Sequence, residues 1–126
     1  MATKNLALRN KMADDFAALF NSGTIEIQDS EGAVLVEFPL HSTAFQAASD
    51  GSIAAHASSL TTQEAGAAGT AAKAAIKSSG GTYEISDLTV GTSNAMVIIN
   101  NVSIALGQDV ALLSISYTET ANIVMA

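Results

Sequence analysis

The stretch TIEIQDSEGAVLVEFPL, residues 24–40, decides the fold. Ile25 and Ile27 alternate with Thr24, Glu26 and Gln28, a period of two that suits a half-buried strand. Asp29-Ser30-Glu31-Gly32 supplies turn chemistry, since Asp bonds its own downstream amides and Gly tolerates positive φ. Val34, Val36, Phe38 and Leu40 then resume the alternation, which predicts a β-hairpin. Pro39 has no amide hydrogen to donate, so the second strand is expected at a sheet edge or at its own end.

Upstream of the hairpin the period changes. Leu8, Met12, Phe16, Leu19 and Phe20 fall on one stripe at 3.6 residues per turn, which predicts an amphipathic helix over residues 4 to 21. Thr3 is placed to cap its start, and Gly23 to end it in the left-handed conformation. Arg9, Asn10, Asp14 and Asn21 occupy the other face. The stripe needs cover, either from its own β domain or from a neighbouring subunit, so Leu8, Met12, Phe16, Leu19 and Phe20 are the candidate protein interface.

Downstream, Asp50-Gly51 marks a turn between Phe45-Gln46-Ala47-Ala48 and Ser52-Ile53-Ala54-Ala55-His56, both expected as short strands. Residues 60–69 read as a surface connection. Over residues 70–77 alanine favours helix, but alternation places Thr70, Ala72, Ala74 and Ile76 opposite Lys73 and Lys77. A helix would stack those lysines at i and i+4, so a strand is expected. Ser78-Ser79-Gly80-Gly81 turns the chain into Thr82–Ser86. Ala95–Asn100 reads as a buried strand, and Ala111, Leu113, Ile115 and Tyr117 as the inward face of a long final one. Short strands at near-regular spacing predict a single β-sandwich of jelly-roll or Greek-key type, residues 24–126, with the N-terminal helix of residues 1–23 belonging to the same domain.

The chain of 126 residues has no cysteine, which removes disulfides, thiol catalysis and thiolate metal sites together. That fits assembly in a reducing compartment. A net charge of −7 repels phosphate backbones and anionic headgroups, so nucleic acid and membrane surfaces are not expected partners. Asp14 and Asp15 interrupt any apolar leader, and no apolar run approaches the length of a membrane span. Charged residues make up only 13%, about half the usual share, which suggests that other protein covers part of the surface.

Chemistry-bearing motifs are sparse. His41 and His56 have no third ligand at helical or strand spacing. The acidic turns at Asp29 and Asp50 carry too few carboxylates for a calcium loop. Asp14 and Asp15, on consecutive helix positions, read as a solvated face. No Gly-x-Ser-x-Gly elbow and no phosphate-binding Gly-Lys-Ser/Thr occurs. Two Tyr, four Phe and no Trp leave little for a sugar- or base-stacking surface. No catalytic residue, metal or cofactor is expected.

Residues 8–14, 21–27, 44–51, 89–93 and 104–108, read together as LRNKMAD, NSGTIEI, AFQAASDG, TVGTS and IALGQ, resemble segments of a family of small tailed-phage proteins. Leu8-Arg9-Asn10-Lys11-Met12-Ala13-Asp14 is similar to its "LRNxMAD" helix, and Asn21–Ile27 to its "GGTLEIY"-like first strand. Ala44-Phe45-Gln46-Ala47-Ala48-Ser49-Asp50-Gly51 resembles "AFxAASxG". Thr89-Val90-Gly91-Thr92-Ser93 resembles "GTVGTSG", and Ile104–Gln108 resembles "ITAGQ". The chain departs from the family in having no Trp in residues 70–77. The resemblance implies a non-enzymatic virion structural protein on the capsid surface, assembled in the host cytoplasm. As a decoration or cement protein it would form a dimer or trimer and contact the major capsid protein or other virion subunits. A tail or head-tail connector subunit is the first alternative. A carbohydrate- or receptor-binding β-sandwich module is the second, resting on fold analogy alone.

Overall fold

A computed structural model describes residues 2–118 and 122–123. The chain is mainly β with one N-terminal helix, arranged as a β-sandwich. In order it runs β1 (Ala2–Thr3), α1 (Leu6–Leu19), β2 (Thr24–Gln28), β3 (Val34–Pro39), β4 (Ser52–Ala54), a short 3-10 turn η1 (Ala57–Ser59), β5 (Thr62–Glu64), β6 (Gly69–Thr70) and β7 (Lys73–Lys77). It continues through β8 (Glu84–Leu88), β9 (Val90–Gly91), β10 (Val97–Ile99), β11 (Ser103–Ile104), β12 (Asp109–Thr118) and β13 (Asn122–Ile123). One sheet has the order β3-β2-β7-β8. The other has the order β4-β12-β10-β9, with β5 also paired to β12; β6–β11 and β1–β13 form small ribbons.

The hairpin forms as its residues predict. Ile25 faces Phe38 and Ile27 faces Val36 across β2 and β3. Asp29 Oδ1 accepts the amides of Glu31 and Ala33 at 2.9 Å, and Gly32 takes φ 89°. Pro39 does sit on an edge strand, where its missing amide orphans no ladder partner. One phase differs from expectation: the register shifts between Ile27 and Gln28, so Val34 is exposed while Leu35 is buried. Leu35 packs against Gly69, where an added Cβ would stand 3.0 Å from Leu35 Cδ2.

Residues 73–77 form a strand, pairing Ala74 with Ile27 and Ile76 with Ile25. Phe45 contributes an isolated bridge to Ala55, and residues 46–48 lie outside the strands that were expected there. In β12 the alternation breaks. Its buried residues are Val110, Leu112 and Ile115, whereas Leu113, expected inward, is exposed. The cause is a register shift opposite Ile98 and Ile99: Ser114 faces Ile98, but Leu112 faces Ile99, and Leu113 takes the extra position.

Both sheets and the helix close over one core. Phe20, Ile25, Ile27, Phe38, Ile53, Ile76, Val97, Ile99 and Val110 are each nearly or wholly excluded from solvent. Phe16 joins the helix to the second sheet by stacking on Tyr117, with centroids 4.2 Å apart and planes 9° apart. It also packs against Phe20 and Phe45.

Candidate protein interface

The helix starts two residues later than expected because Asn5, not Thr3, is its cap: Asn5 Oδ1 accepts the Leu8 amide at 2.9 Å. Thr3 instead pairs with Asn122 in the β1–β13 ribbon. At the other end Ser22, with φ 58°, supplies the left-handed residue expected of Gly23. Gly23 is needed for a different reason, since a Cβ there would collide with the carbonyl oxygen of Lys77. The small residue lets the helix exit pass close over β7.

The structure splits the candidate stripe. Phe20 is buried and Phe16 partly buried, both against the chain's own sandwich. Leu8, Met12 and Leu19 stand 45%, 38% and 44% exposed. The core-facing surface of α1 is instead completed by Ala13 and Ala17, whose small side chains let the helix approach closely. A wheel drawn from large apolar residues alone misses these alanines.

The face expected to be solvated is also occupied. Asn10 Oδ1 accepts the Gly51 amide and Asp14 Oδ1 the Ala48 amide, each at 2.8 Å. Asn21 Oδ1 accepts the Ala44 amide at 2.9 Å. Asn10 and Asp14, at i and i+4, therefore clasp the segment that ends in the Asp50-Gly51 turn. That turn has φ 52° and 78° at its central residues, and Ser49 and Ser52 exchange backbone bonds across it. Asp15 alone of the acidic pair is solvated, holding Lys11 at 2.8 Å; this bond raises the Lys11 pKa above its ordinary value.

Two further acidic side chains are committed locally. Glu26, nearly buried on β2, takes Lys77 Nζ at 3.2 Å and Gln28 Nε2 at 3.3 Å. The hydrogen bond to Glu26, with its charge, raises the Lys77 pKa. Asp29 serves its own turn. Among the described residues no three His, Cys, Asp or Glu side chains converge on a possible metal, and no helix is long and apolar enough to cross a membrane.

An apolar cavity of about 50 Å³ lies beneath Phe16 and Tyr117, bounded by Phe45, Ile85 and Met96. It is far below the ~150 Å³ of a void that admits benzene. An open groove of about 390 Å³ runs between β3 and residues 63–66, with Glu37 and Glu64 on its walls. His41 and His56 stack on each other, their Nδ1 atoms bonded to nearby backbone amides. Leu8, Met12 and Leu19 form an outward apolar line on α1, and Leu106, Leu113 and Tyr83 are exposed elsewhere on the sheets and their loops. No protein-family model, curated protein or solved structure matches the chain.

Proposed function

We propose that this chain is a non-enzymatic structural subunit of a tailed-phage particle, and specifically a decoration or cement protein bound to the major capsid protein shell. The observation that carries the reading is the outward line Leu8, Met12 and Leu19 on a helix whose inner face is packed and hydrogen-bonded within the chain. Large apolar groups held rigidly at the surface gain by burial against a second protein, at roughly 25 cal/mol per Å² removed from water. The resemblance of the 8–14 and 44–51 segments to small phage proteins supplies the identity of that second protein. The low charge content is consistent with a surface largely covered in an assembly.

Decoration is favoured over a connector ring built by strand pairing because both edges of the β3-β2-β7-β8 sheet are blunted. Pro39 lies on one edge. On the other, Ser86 and Asp87 bulge opposite Ala75, with Asp87 at φ 60° and bonded to Lys73 at 3.4 Å. The subunit would act as a dimer or trimer over junctions between capsid subunits.

The test is co-sedimentation of the purified chain with shells that lack it, counting bound copies against the major capsid protein. Saturation at a high copy number matching local symmetry axes is the expected result. No binding, or a few copies at one vertex, would overturn the decoration role and favour the connector.

A further inference from the structure

His41 and His56 meet where the chain leaves β3 and where η1 begins. Their rings are nearly parallel, 11° apart, with centroids separated by 5.3 Å. His41 Nδ1 accepts the Thr43 amide and His56 Nδ1 accepts the Ser58 amide, both at 3.1 Å. A ring nitrogen that accepts carries no proton, so both bonds require an unprotonated Nδ1.

A knot of further bonds runs between the rings. Buried Ser59 accepts the His41 amide at 3.0 Å and donates its hydroxyl to the Ala44 carbonyl at 3.0 Å. The His56 amide donates to the same carbonyl at 2.9 Å, and Ser59 N–H to the His56 carbonyl at 2.8 Å. Ser22 N–H donates to the His41 carbonyl at 2.9 Å, which ties the knot to the end of α1.

The charged residues of the surrounding elements are Arg9, Lys11, Asp14 and Asp15 on α1, Glu26 on β2, Glu37 on β3, Asp50 in the clasped segment, Lys73 and Lys77 on β7 and Asp109 on β12. None of them forms an ion pair with either ring among the described residues. Lys11 and Asp15 hold each other, and Asp14 is bonded to Ala48.

We propose that the His41–His56 stack is an acid-sensitive latch that fastens residues 42–59 to the end of α1. A proton on Nδ1 and an amide bond to Nδ1 are mutually exclusive. Acidification therefore removes both acceptors and sets two like charges 5.3 Å apart. The segment loosens while the β2–β7 ladder, in which no register partner is a histidine, stays intact. The latch does not depend on the particle role proposed above.

The experiment follows amide protection and histidine ring resonances of the full chain by NMR from about pH 7.5 to about pH 5, a range in which imidazoles gain a proton and ordinary carboxylates stay charged. The comparison protein carries His41→Asn and His56→Asn, since Asn Oδ1 can accept an amide two residues on and does not titrate. In the natural chain, protection at Thr43, Ala44, Ser58 and Ser59 is expected to fall about tenfold as the rings protonate, with Ile25 and Ile76 unchanged. The double variant should stay flat. His41→Asn alone should flatten Thr43 while Ser58 still responds. Unchanged protection in the natural chain, or an equal fall in the Asn variants, overturns the latch.

Discussion

The inner and outer faces of α1 use opposite materials. Inward, Ala13 and Ala17 at the point of closest approach are flanked by Phe16 and Phe20, and the polar Asn10 and Asp14 grip a neighbouring backbone. Outward, Leu8, Met12 and Leu19 are large, apolar and exposed. Side-chain size and hydrophobicity did not decide which side faces the core. Close approach selected alanine, and two unpaired loop amides selected carbonyl and carboxylate oxygens. The difference teaches that the inner face is a folding element and the outer face is free for another purpose.

The largest expected effect comes from breaking the inner face. Phe20→Ala removes a buried ring and should cost about 3–5 kcal/mol by urea denaturation. Phe16→Asp should also prevent folding of the isolated chain, because it places a charge against Tyr117 and Phe45. A folded, monomeric Phe16→Asp protein would show that the helix is not needed by its own sandwich. Gly23→Ala tests the close approach to the Lys77 carbonyl and should cost about 1–3 kcal/mol, again by denaturant melt.

Smaller effects sharpen the polar part of the contrast. Asn10→Ala and Asp14→Ala should each cost about 1 kcal/mol and speed amide exchange at Gly51 and Ala48 respectively, with the sheets unaffected. If neither amide exchanges faster, the clasp is incidental. The smallest effect is electrostatic. Lys77 is raised above its ordinary 10.5 by Glu26, so its folded form binds the proton more tightly than the unfolded chain does. The stabilisation is then fully present below pH 10.5 and is lost as pH rises through the higher folded value. A melting curve repeated from neutral to alkaline pH should show this loss, and Lys77→Met should remove its Lys77 component.

The β hairpin of residues 24–40 was legible because period, turn residues and proline all agree there, and the strand at 73–77 because a lysine pair opposed a helix. Bulges were not legible. Leu113 carries no mark distinguishing it from Leu112, and the one-position slip that exposes it is imposed by the partner strand β10. Val34 and Leu35 exchange roles for the same reason, a shift at Gln28 together with cover from Gly69. The five-residue stripe was legible as a helix, but its division into packed and exposed parts depended on residues 44–51 folding back onto α1. The 8–14 and 44–51 segments form one unit, since Asn10 and Asp14 of the first bind Gly51 and Ala48 of the second.

On the proposed role, the outer face of α1 is unneeded for folding and serves assembly. Its most direct test is the triple variant Leu8→Ser, Met12→Ser, Leu19→Ser, compared with the natural chain for thermal melting and for co-sedimentation with undecorated shells. The account predicts a folded protein, destabilised by no more than about 0.5 kcal/mol per site, that no longer binds. A triple variant that saturates the shells as the natural chain does would contradict it.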